Sequence, residues 1–336
     1  MSNDVSIEVV RTAGFECAPV GFIGLGVMGK SLAWHLLKAG YPMMVQTRTR
    51  AKAEGLIAEG AQWVDSPRDV AAGCKLIFTM VGFPHELEDV YFGARGIFKG
   101  VKPGEVLVDL TTSTPHLARR IAEAAQKLGV EALDIPVTGG EVGAREARLS
   151  MMAGGSPEAF ARVAPVLKLF GPLAVLHGPP GSGQHAKMAN QIMIAATMMG
   201  MCEALAYAKA AGLDTAKVLQ STSAGSASSW SLLNLAPRAL RGDFAPGFYV
   251  KHFVKDLGIA LGAAREMGIK LPGLALGEKL YRKLAAAGHG HKGTQALWLS
   301  YLETVEKTKA KKKTRGSKVK KAKRTRAESQ RRRVRK

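Results

Sequence analysis

The apolar residues between Val20 and about Gly178 fall into short runs that alternate with stretches of helical periodicity. Alternation of strand and helix at this spacing is typical of βαβ units and of a largely parallel sheet. We therefore predict an α/β fold for this part of the chain. The runs that predict strands read VGFIG, PMMVQT, KLIFTMV, EVLVDLT, EALDIPV, LSMMAGG and AVLHG.

Beyond Gly183 the hydrophobic pattern predicts helices only, and a turn-forming segment, GPPGSG at residues 178–183, separates the two parts. We place a domain boundary there, with an α/β domain over 1–180 and an all-helical domain over 181–306. The helix from about Gln184 to Ala211 is apolar on nearly all faces, which favours burial between the domains and against a partner subunit.

Membrane insertion and secretion are not indicated. The most apolar segment, Ile192–Cys202, has 11 residues, fewer than the roughly 18 that a membrane span needs. The first residues include Asp4 and Glu8 and lack the apolar run of a signal peptide. We expect a cytoplasmic protein.

The positive charge of the chain is concentrated at its end. Residues 307–336 hold 17 of the 48 Lys and Arg residues and one acid, which leaves a net charge of +5 for residues 1–306. This segment has no apolar periodicity, so we predict a disordered basic tail. It would bind nucleic acid or another polyanion without sequence specificity, because it carries no aromatic residue for stacking on bases.

The cysteines argue against a stabilising framework of disulfides or zinc. Cys17, Cys74 and Cys202 lie far apart, with no CxxC pair and no histidines clustered near them. We expect no metal.

A glycine loop follows the first predicted strand and opens the first helix. Gly24, Gly26 and Gly29 form a GxGxxG pattern with Leu25, Val27 and Met28 between them. Such glycines allow a tight turn, close approach of backbone N–H groups to a pyrophosphate, and close packing of helix on strand. The loop predicts a Rossmann-type doubly wound sheet that binds a dinucleotide; the alternative is a purely structural turn.

The end of the second predicted strand bears on the cofactor. An NAD site usually has an acid there that holds the ribose 2′-hydroxyl, yet the stretch VQTRTRAK has none before Glu54. Arg48 with Thr47 and Thr49 would instead accept a 2′-phosphate, so we expect NADP, with NAD as the alternative. The alternative is that Arg48 and Arg50 lie in a solvent-exposed turn and do not bind the cofactor.

Several motifs in order resemble the β-hydroxyacid dehydrogenase family, which includes 3-hydroxyisobutyrate dehydrogenase and tartronate semialdehyde reductase. They read GFIGLGVMG, DLTTSTP, DIPVTGGEVGAREARLSMMAGG, GSGQHAKMANQ and HFVKDLGIAL, and they lie in this order between residues 21 and 261. The resemblance implies an oxidoreductase that transfers hydride between a nicotinamide cofactor and a small 3-hydroxy acid or its semialdehyde. It also implies a homodimer or homotetramer.

The resemblance assigns roles by position. Val81, Thr112 and Lys255 would join the glycine loop in binding the cofactor, and Asp256 follows Lys255 in the family's Lys-Asp-Leu. Thr138, Gly139 and Gly140 match the family's Ser-Gly-Gly, whose hydroxyl and backbone N–H groups bind the substrate carboxylate. Threonine in place of serine keeps the hydroxyl and adds a methyl group to the pocket.

Lys187 matches the family's catalytic lysine, and the chemistry gives an independent reason for it. Hydride addition to a carbonyl builds negative charge on oxygen, which a positioned ammonium stabilises and protonates; in reverse the amine accepts the hydroxyl proton. Asn190 and Gln191 lie three and four residues on, on the same helical face. We expect their amides to orient the substrate or the lysine.

Two enzyme classes and one binding function compete with this interpretation. 6-Phosphogluconate dehydrogenases need a much longer helical domain than the about 125 residues between Gly181 and the tail, and imine reductases usually lack a lysine at the position of Lys187. A non-catalytic nucleic-acid-binding protein would use the fold as a scaffold beside the basic tail. Relatives of that kind lack the catalytic lysine, whereas Lys187 and Thr112 are present here.

Overall fold

The computed structural model describes residue 15 and residues 18–306, so the predicted basic tail lies outside the described residues. Within this part the strands are β1 (Val20–Ile23), β2 (Met43–Gln46), β3 (Gln62–Trp63), β4 (Leu76–Thr79), β5 (Val106–Asp109), β6 (Glu131–Asp134), β7 (Val137–Thr138), β8 (Ser150–Ala153) and β9 (Leu173–Leu176).

The helices of the first part are α1 (Gly29–Lys38), α2 (Glu54–Ala58), α3 (Pro67–Gly73), α4 (Pro84–Phe92), α5 (Pro115–Gln126), α6 (Gly140–Arg145) and α7 (Pro157–Leu167). The second part contains α8 (Ser182–Ala210), α9 (Thr215–Ser223), α10 (Trp230–Asn234), α11 (Ala236–Leu240), α12 (Val250–Glu266) and α13 (Pro272–Leu284). Short helical turns occur at Arg50–Lys52, Ile97–Lys99, Ala285–His289 and Thr294–Ala296.

Six strands form one parallel sheet in the order β3-β2-β1-β4-β5-β6. All residues of β1, β4 and β5 are buried, which is why their sequences are almost continuously apolar rather than alternating. This sheet, followed by helices, confirms the predicted Rossmann-type fold with a helical C-terminal region.

The structure differs from the sequence prediction in one strand, β3, and in one additional sheet. β3 has only two residues, Gln62 and Trp63, so no apolar run in the sequence predicts it. The runs at β8 and β9 do not extend the parallel sheet: with β7 they form a separate three-stranded sheet in which β7 and β8 are antiparallel. A single bridge between Asp134 and Gly154 connects the two sheets.

Several helices of the first part begin at residues that satisfy free backbone N–H groups. The side-chain oxygens of Ser66, Thr114 and Ser156 each accept a hydrogen bond from the N–H three residues on, and a proline follows each of them. Ser or Thr before the helix and Pro at its first position are favoured for this reason. These caps fix where α3, α5 and α7 start.

Helix α8 is the central element of the second part. It packs against α10, α12 and α13 and also against α5 and β8 of the first part, and its buried residues include Met198, Cys202 and Leu205. Its length and composition alone would allow it to cross a membrane. The buried polar residues Gln184, Lys187 and Gln191 in its first turns are instead used inside the protein.

Candidate active site

One large cavity lies where the carboxyl ends of the parallel strands meet the first turns of α8, with a volume of about 1260 Å³. The strand order reverses between β1 and β4, and ligands of open α/β sheets bind at such a switch point. All the residues that the sequence singled out for cofactor, substrate and catalysis line this cavity: Gly24, Leu25, Gly26, Val27, Met28, Gly29, Arg48, Thr49, Val81, Thr112, Thr138, Gly139, Gly140, Lys187, Asn190, Gln191 and Lys255.

The glycine loop between β1 and α1 fits a pyrophosphate. Gly24 has a φ of +97°, and a Cβ there would lie 2.2 Å from the Met80 carbonyl oxygen; a Cβ on Gly29 would lie 2.1 Å from the Gly24 carbonyl oxygen. Gly26 has no atom within 4 Å of its Cβ position, so the backbone is open to a ligand. No side chain caps α1 and no acid lies in its first turn, which leaves its N–H groups for an anion.

Arg48 and Thr49 follow β2 at one end of the cavity. The Arg48 side chain is 84% exposed, and its Nη2 lies 2.7 Å from Oε1 of Glu86, whose side chain is 16% exposed. Glu86 lies in the first turn of α4, 38 residues further along the chain. No sequence signal marks Glu86, because Phe83, rather than Ser, Thr, Asp or Asn, precedes the proline at the start of α4.

Lys187 lies in the second turn of α8 and is 6% exposed. Burial lowers the pKa of its amine to about 8; the Asp256 carboxylate raises that pKa, and the Lys255 ammonium lowers it further. An amine with a pKa near neutrality exchanges protons readily in both directions. Burial thus brings the pKa of Lys187 closer to neutrality than that of an exposed lysine.

A chain of polar contacts surrounds Lys187 and joins the two parts of the protein. The Asn190 amide donates to Gln191 Oε1 at 2.7 Å, and Gln191 Nε2 donates to Asp256 Oδ2 at 2.5 Å. The Lys255 ammonium lies 3.0 Å from Asp256 Oδ1 and donates to the Thr112 carbonyl at 2.7 Å. Gln191 thus positions the buried Asp256 carboxylate rather than contacting Lys187.

The start of α8 is tied to the sheet by residues that the sequence analysis did not identify. Asp134, at the end of β6, accepts hydrogen bonds from the N–H groups of Gly181 at 2.7 Å and Gln184 at 2.8 Å. Burial raises the pKa of Asp134 to about 6, and these hydrogen bonds oppose the rise. The Gln184 side chain donates to the Thr111 carbonyl and accepts from the Ser113 N–H. The end of α8 that carries Lys187 is therefore held in place by hydrogen bonds.

The loop at Thr138, Gly139 and Gly140 joins β7 to α6: Thr138 is the last residue of β7 and Gly140 the first of α6. Gly139 has a φ of +128° and Gly140 a φ of +66°, conformations that favour glycine and turn the backbone toward the cavity. Side chains on the helical side of the cavity, which the sequence did not predict, include Ile194, Thr197, Trp230, Ser231, Phe248 and His252. A small substrate would lie between this wall and the loop.

No group of three or more His, Cys, Asp or Glu side chains able to hold a metal ion occurs among residue 15 and residues 18–306. Cys74 and Cys202 are buried free thiols, and burial raises the pKa of Cys74 to about 12. Neither is a reactive thiolate.

Comparisons with known proteins agree with this geometry. The family model described as the NAD-binding domain of 6-phosphogluconate dehydrogenase matches residues 19–178, and the one described as NAD-binding of NADP-dependent 3-hydroxyisobutyrate dehydrogenase matches residues 181–301. The chain is 53% identical over 279 residues to the uncharacterized oxidoreductase YkwC of Bacillus subtilis (strain 168), covering 83% of this chain and 97% of that protein.

Two further proteins are similar over most of their length. The probable 3-hydroxyisobutyrate dehydrogenase-like 1, mitochondrial, of Arabidopsis thaliana is 46% identical, with 89% of each chain covered. The structure of Mycobacterium tuberculosis 3-hydroxyisobutyrate dehydrogenase with L-serine superposes with a TM-score of 0.78 at 26% identity, covering 84% of this chain and 98% of that one.

The Rossmann sheet and its glycine loop define the class of protein: an NAD(P)-dependent oxidoreductase. Within that class, the chain belongs to the β-hydroxyacid dehydrogenase family, the family of 3-hydroxyisobutyrate dehydrogenase. The relatives give no support to a non-catalytic nucleic-acid-binding protein.

Proposed function

We propose that the enzyme interconverts a small 3-hydroxy acid and its semialdehyde, prefers NADP to NAD, and uses Lys187 as general acid and base. The observation that carries the proposal is a buried amine with a pKa lowered to about 8, in the same cavity as the glycine loop and the Thr138 loop. The names of the relatives support the substrate class, and the exposed Arg48 beside the cavity supports NADP.

The nicotinamide cofactor supplies or accepts the hydride when it is bound at the glycine loop. In the reductive direction the Lys187 ammonium donates a hydrogen bond to the carbonyl oxygen, stabilises the developing negative charge and transfers its proton. In the oxidative direction the neutral amine takes the hydroxyl proton. Because the amine is buried, water competes with the substrate for it only weakly.

The substrate carboxylate would bind at the Thr138 loop. The Thr138 hydroxyl and the N–H groups of Gly139 and Gly140 are uncharged donors, so they would orient the anion by hydrogen bonds alone. Charge-assisted hydrogen bonds of this kind are stronger than neutral ones. Asn190 would contact the substrate from the α8 side, while Gln191 holds Asp256 in place.

A substrate panel tests the proposal. We expect the purified protein to oxidise NADPH with at least one of the methylmalonate, tartronate and succinate semialdehydes, and NADH less well. Absorbance of the reduced cofactor reports the rate, and chelator should leave that rate unchanged. No turnover with any short semialdehyde would refute the substrate class, and a hundredfold preference for NADH would refute the assignment of NADP.

We also propose a cytoplasmic homodimer or homotetramer in which α8 contributes to the subunit interface. One face of α8 exposes Ala189, Met193, Ala196, Gly200 and Tyr207, and Tyr207 is 76% exposed. Exposed apolar residues in a continuous row often mark contact surfaces. Light scattering at micromolar concentration tests the oligomer, and a monomer would contradict it.

A further inference from the structure

The carboxylate of Glu86 lies at the point where Arg48 is expected to meet a 2′-phosphate. The two side chains come from different βα units, and their charged atoms are 2.7 Å apart. The end of β2 itself carries no acid. The acid that a ribose 2′-hydroxyl usually meets in this fold is thus supplied by α4, beside Arg48.

Backbone hydrogen bonds hold Glu86 in place, whereas the Arg48 side chain, among the residues that the structure describes, is held only by its ion pair with Glu86 and is mostly exposed. Oε2 of Glu86 accepts hydrogen bonds from the N–H groups of Gly82 at 2.9 Å and Phe83 at 3.1 Å, so the carboxylate caps α4 and also holds the loop that lines the cavity. The Arg48 side chain is mostly in solvent. A ligand at this place would move Arg48 and leave the Glu86 carboxylate where it is.

The fixed carboxylate affects NADP and NAD in opposite ways. A phosphate hydrogen-bonded to the Arg48 guanidinium would lie within about 8 Å of the Glu86 carboxylate, since charge-assisted hydrogen bonds are about 2.7–2.9 Å long. This is no more than a Debye length at physiological salt, about 8 Å, so the repulsion is not screened out. A ribose hydroxyl, by contrast, donates a hydrogen bond to a carboxylate without any charge penalty.

We propose that Glu86 sets the cofactor specificity of this enzyme: it weakens NADP binding and supports NAD binding, so that the enzyme accepts both cofactors. The inference rests on the proposed function, in which Arg48 binds the 2′-phosphate. Cofactor specificity would then depend on two residues, Glu86 on α4 and Arg48 after β2. A site with Arg48 alone would discriminate much more strongly against NAD.

The test uses the substitution Glu86→Gln and the probes 2′,5′-ADP and 5′-AMP, whose binding to the whole enzyme calorimetry measures without catalysis. Glutamine keeps an oxygen that accepts the two loop N–H groups but removes the charge. We expect the ratio of 2′,5′-ADP to 5′-AMP affinity to rise about tenfold. The ratio of kcat/KM with NADPH to kcat/KM with NADH should rise by a similar factor.

Glu88→Gln is the matched control. Glu88 lies on the same helix, is half-exposed and pairs with Arg120 at 2.9 Å, so this change removes the same charge away from the cavity. We expect it to leave both ratios unchanged. An unchanged ratio in Glu86→Gln would mean that Glu86 only caps α4, and a lowered ratio would mean that it holds Arg48 in place for the phosphate; either result overturns the proposal.

Arg48→Gln separates this inference from the proposed function. Loss of 2′,5′-ADP binding in Arg48→Gln with an unchanged ratio in Glu86→Gln would overturn the role of Glu86 and leave the NADP site intact. Unchanged 2′,5′-ADP binding in both variants would overturn both assignments. Failure of every semialdehyde in the panel would leave the binding ratios, and therefore this inference, unaffected.

Discussion

Replacing Lys187 by methionine removes the amine that is proposed to transfer the proton and preserves most of the side-chain volume. The variant should fold, because Asp256 keeps the Lys255 ammonium at 3.0 Å and the Gln191 amide at 2.5 Å. No unpaired buried charge is left behind, which is the usual reason why such changes are severely destabilising. The apolar stem of methionine suits a position that is 6% exposed.

The expected loss is in turnover and not in cofactor binding. Removal of a positioned acid or base costs roughly 10² to 10⁴ in rate, about 2.7–5.5 kcal/mol of transition-state stabilisation. Lys187 is on α8, whereas the glycine loop lies between β1 and α1, so we expect the affinity for NADPH to change by less than about threefold. Absorbance assays give kcat with the best semialdehyde of the panel, and calorimetry gives the dissociation constant of NADPH.

Lys209→Met, at the other end of the same helix and outside the cavity, is the matched control and should keep wild-type turnover. Two results would refute the reasoning. One is a kcat of Lys187→Met within tenfold of the wild type. The other is loss of NADPH binding together with turnover, which would mean that Lys187 maintains the structure of the cavity.

Three further variants test the surroundings of the site and the tail. Lys255→Met removes a positive charge that lowers the pKa of Lys187, so the pH profile of reduction should shift to higher pH; an unshifted profile would contradict this coupling. Asp134→Asn places an N–H donor against a helix N–H and should lower the free energy of unfolding by about 2 kcal/mol in urea titrations, while the exposed Asp65→Asn should not. Deletion of residues 307–336 should leave turnover intact and abolish retention on DNA at ~50 mM salt; equal retention by both forms would place the binding surface elsewhere.

Local sequence signals predicted the parts of the site that lie within single motifs. The glycine loop at Gly24–Gly29 and the segment containing Lys187 each carry their chemistry within a few residues, and spacing along a strand or helix determines where such residues point. The parallel sheet was predictable for a similar reason, because strands buried on both faces are continuously apolar. β3 lacked that signal.

The contacts between distant segments had no such signal. Glu86 meets Arg48 from another βα unit, and Asp134 holds the start of α8 across 47 residues. Asp134 opens the DIPVTGG motif, but the motif does not show that its carboxylate accepts hydrogen bonds from the start of α8. Gln191 lines the cavity, but its hydrogen bond to Asp256 depends on the packing of α12 on α8. Periodicity does not specify that packing.

The central claim, that one buried amine moves the proton in both directions, is tested most directly by the pH dependence of kcat/KM measured for reduction and oxidation with the same enzyme. The pKa of Lys187 is lowered to about 8, so the ammonium needed for reduction predominates below this pH and the amine needed for oxidation above it. We predict that kcat/KM for reduction falls and kcat/KM for oxidation rises as the pH increases through about 8, with a common apparent pKa. Both changes with pH should be absent in Lys187→Met. If these changes with pH persist in that variant, or if kcat/KM changes in the same direction for reduction and oxidation, the account is contradicted.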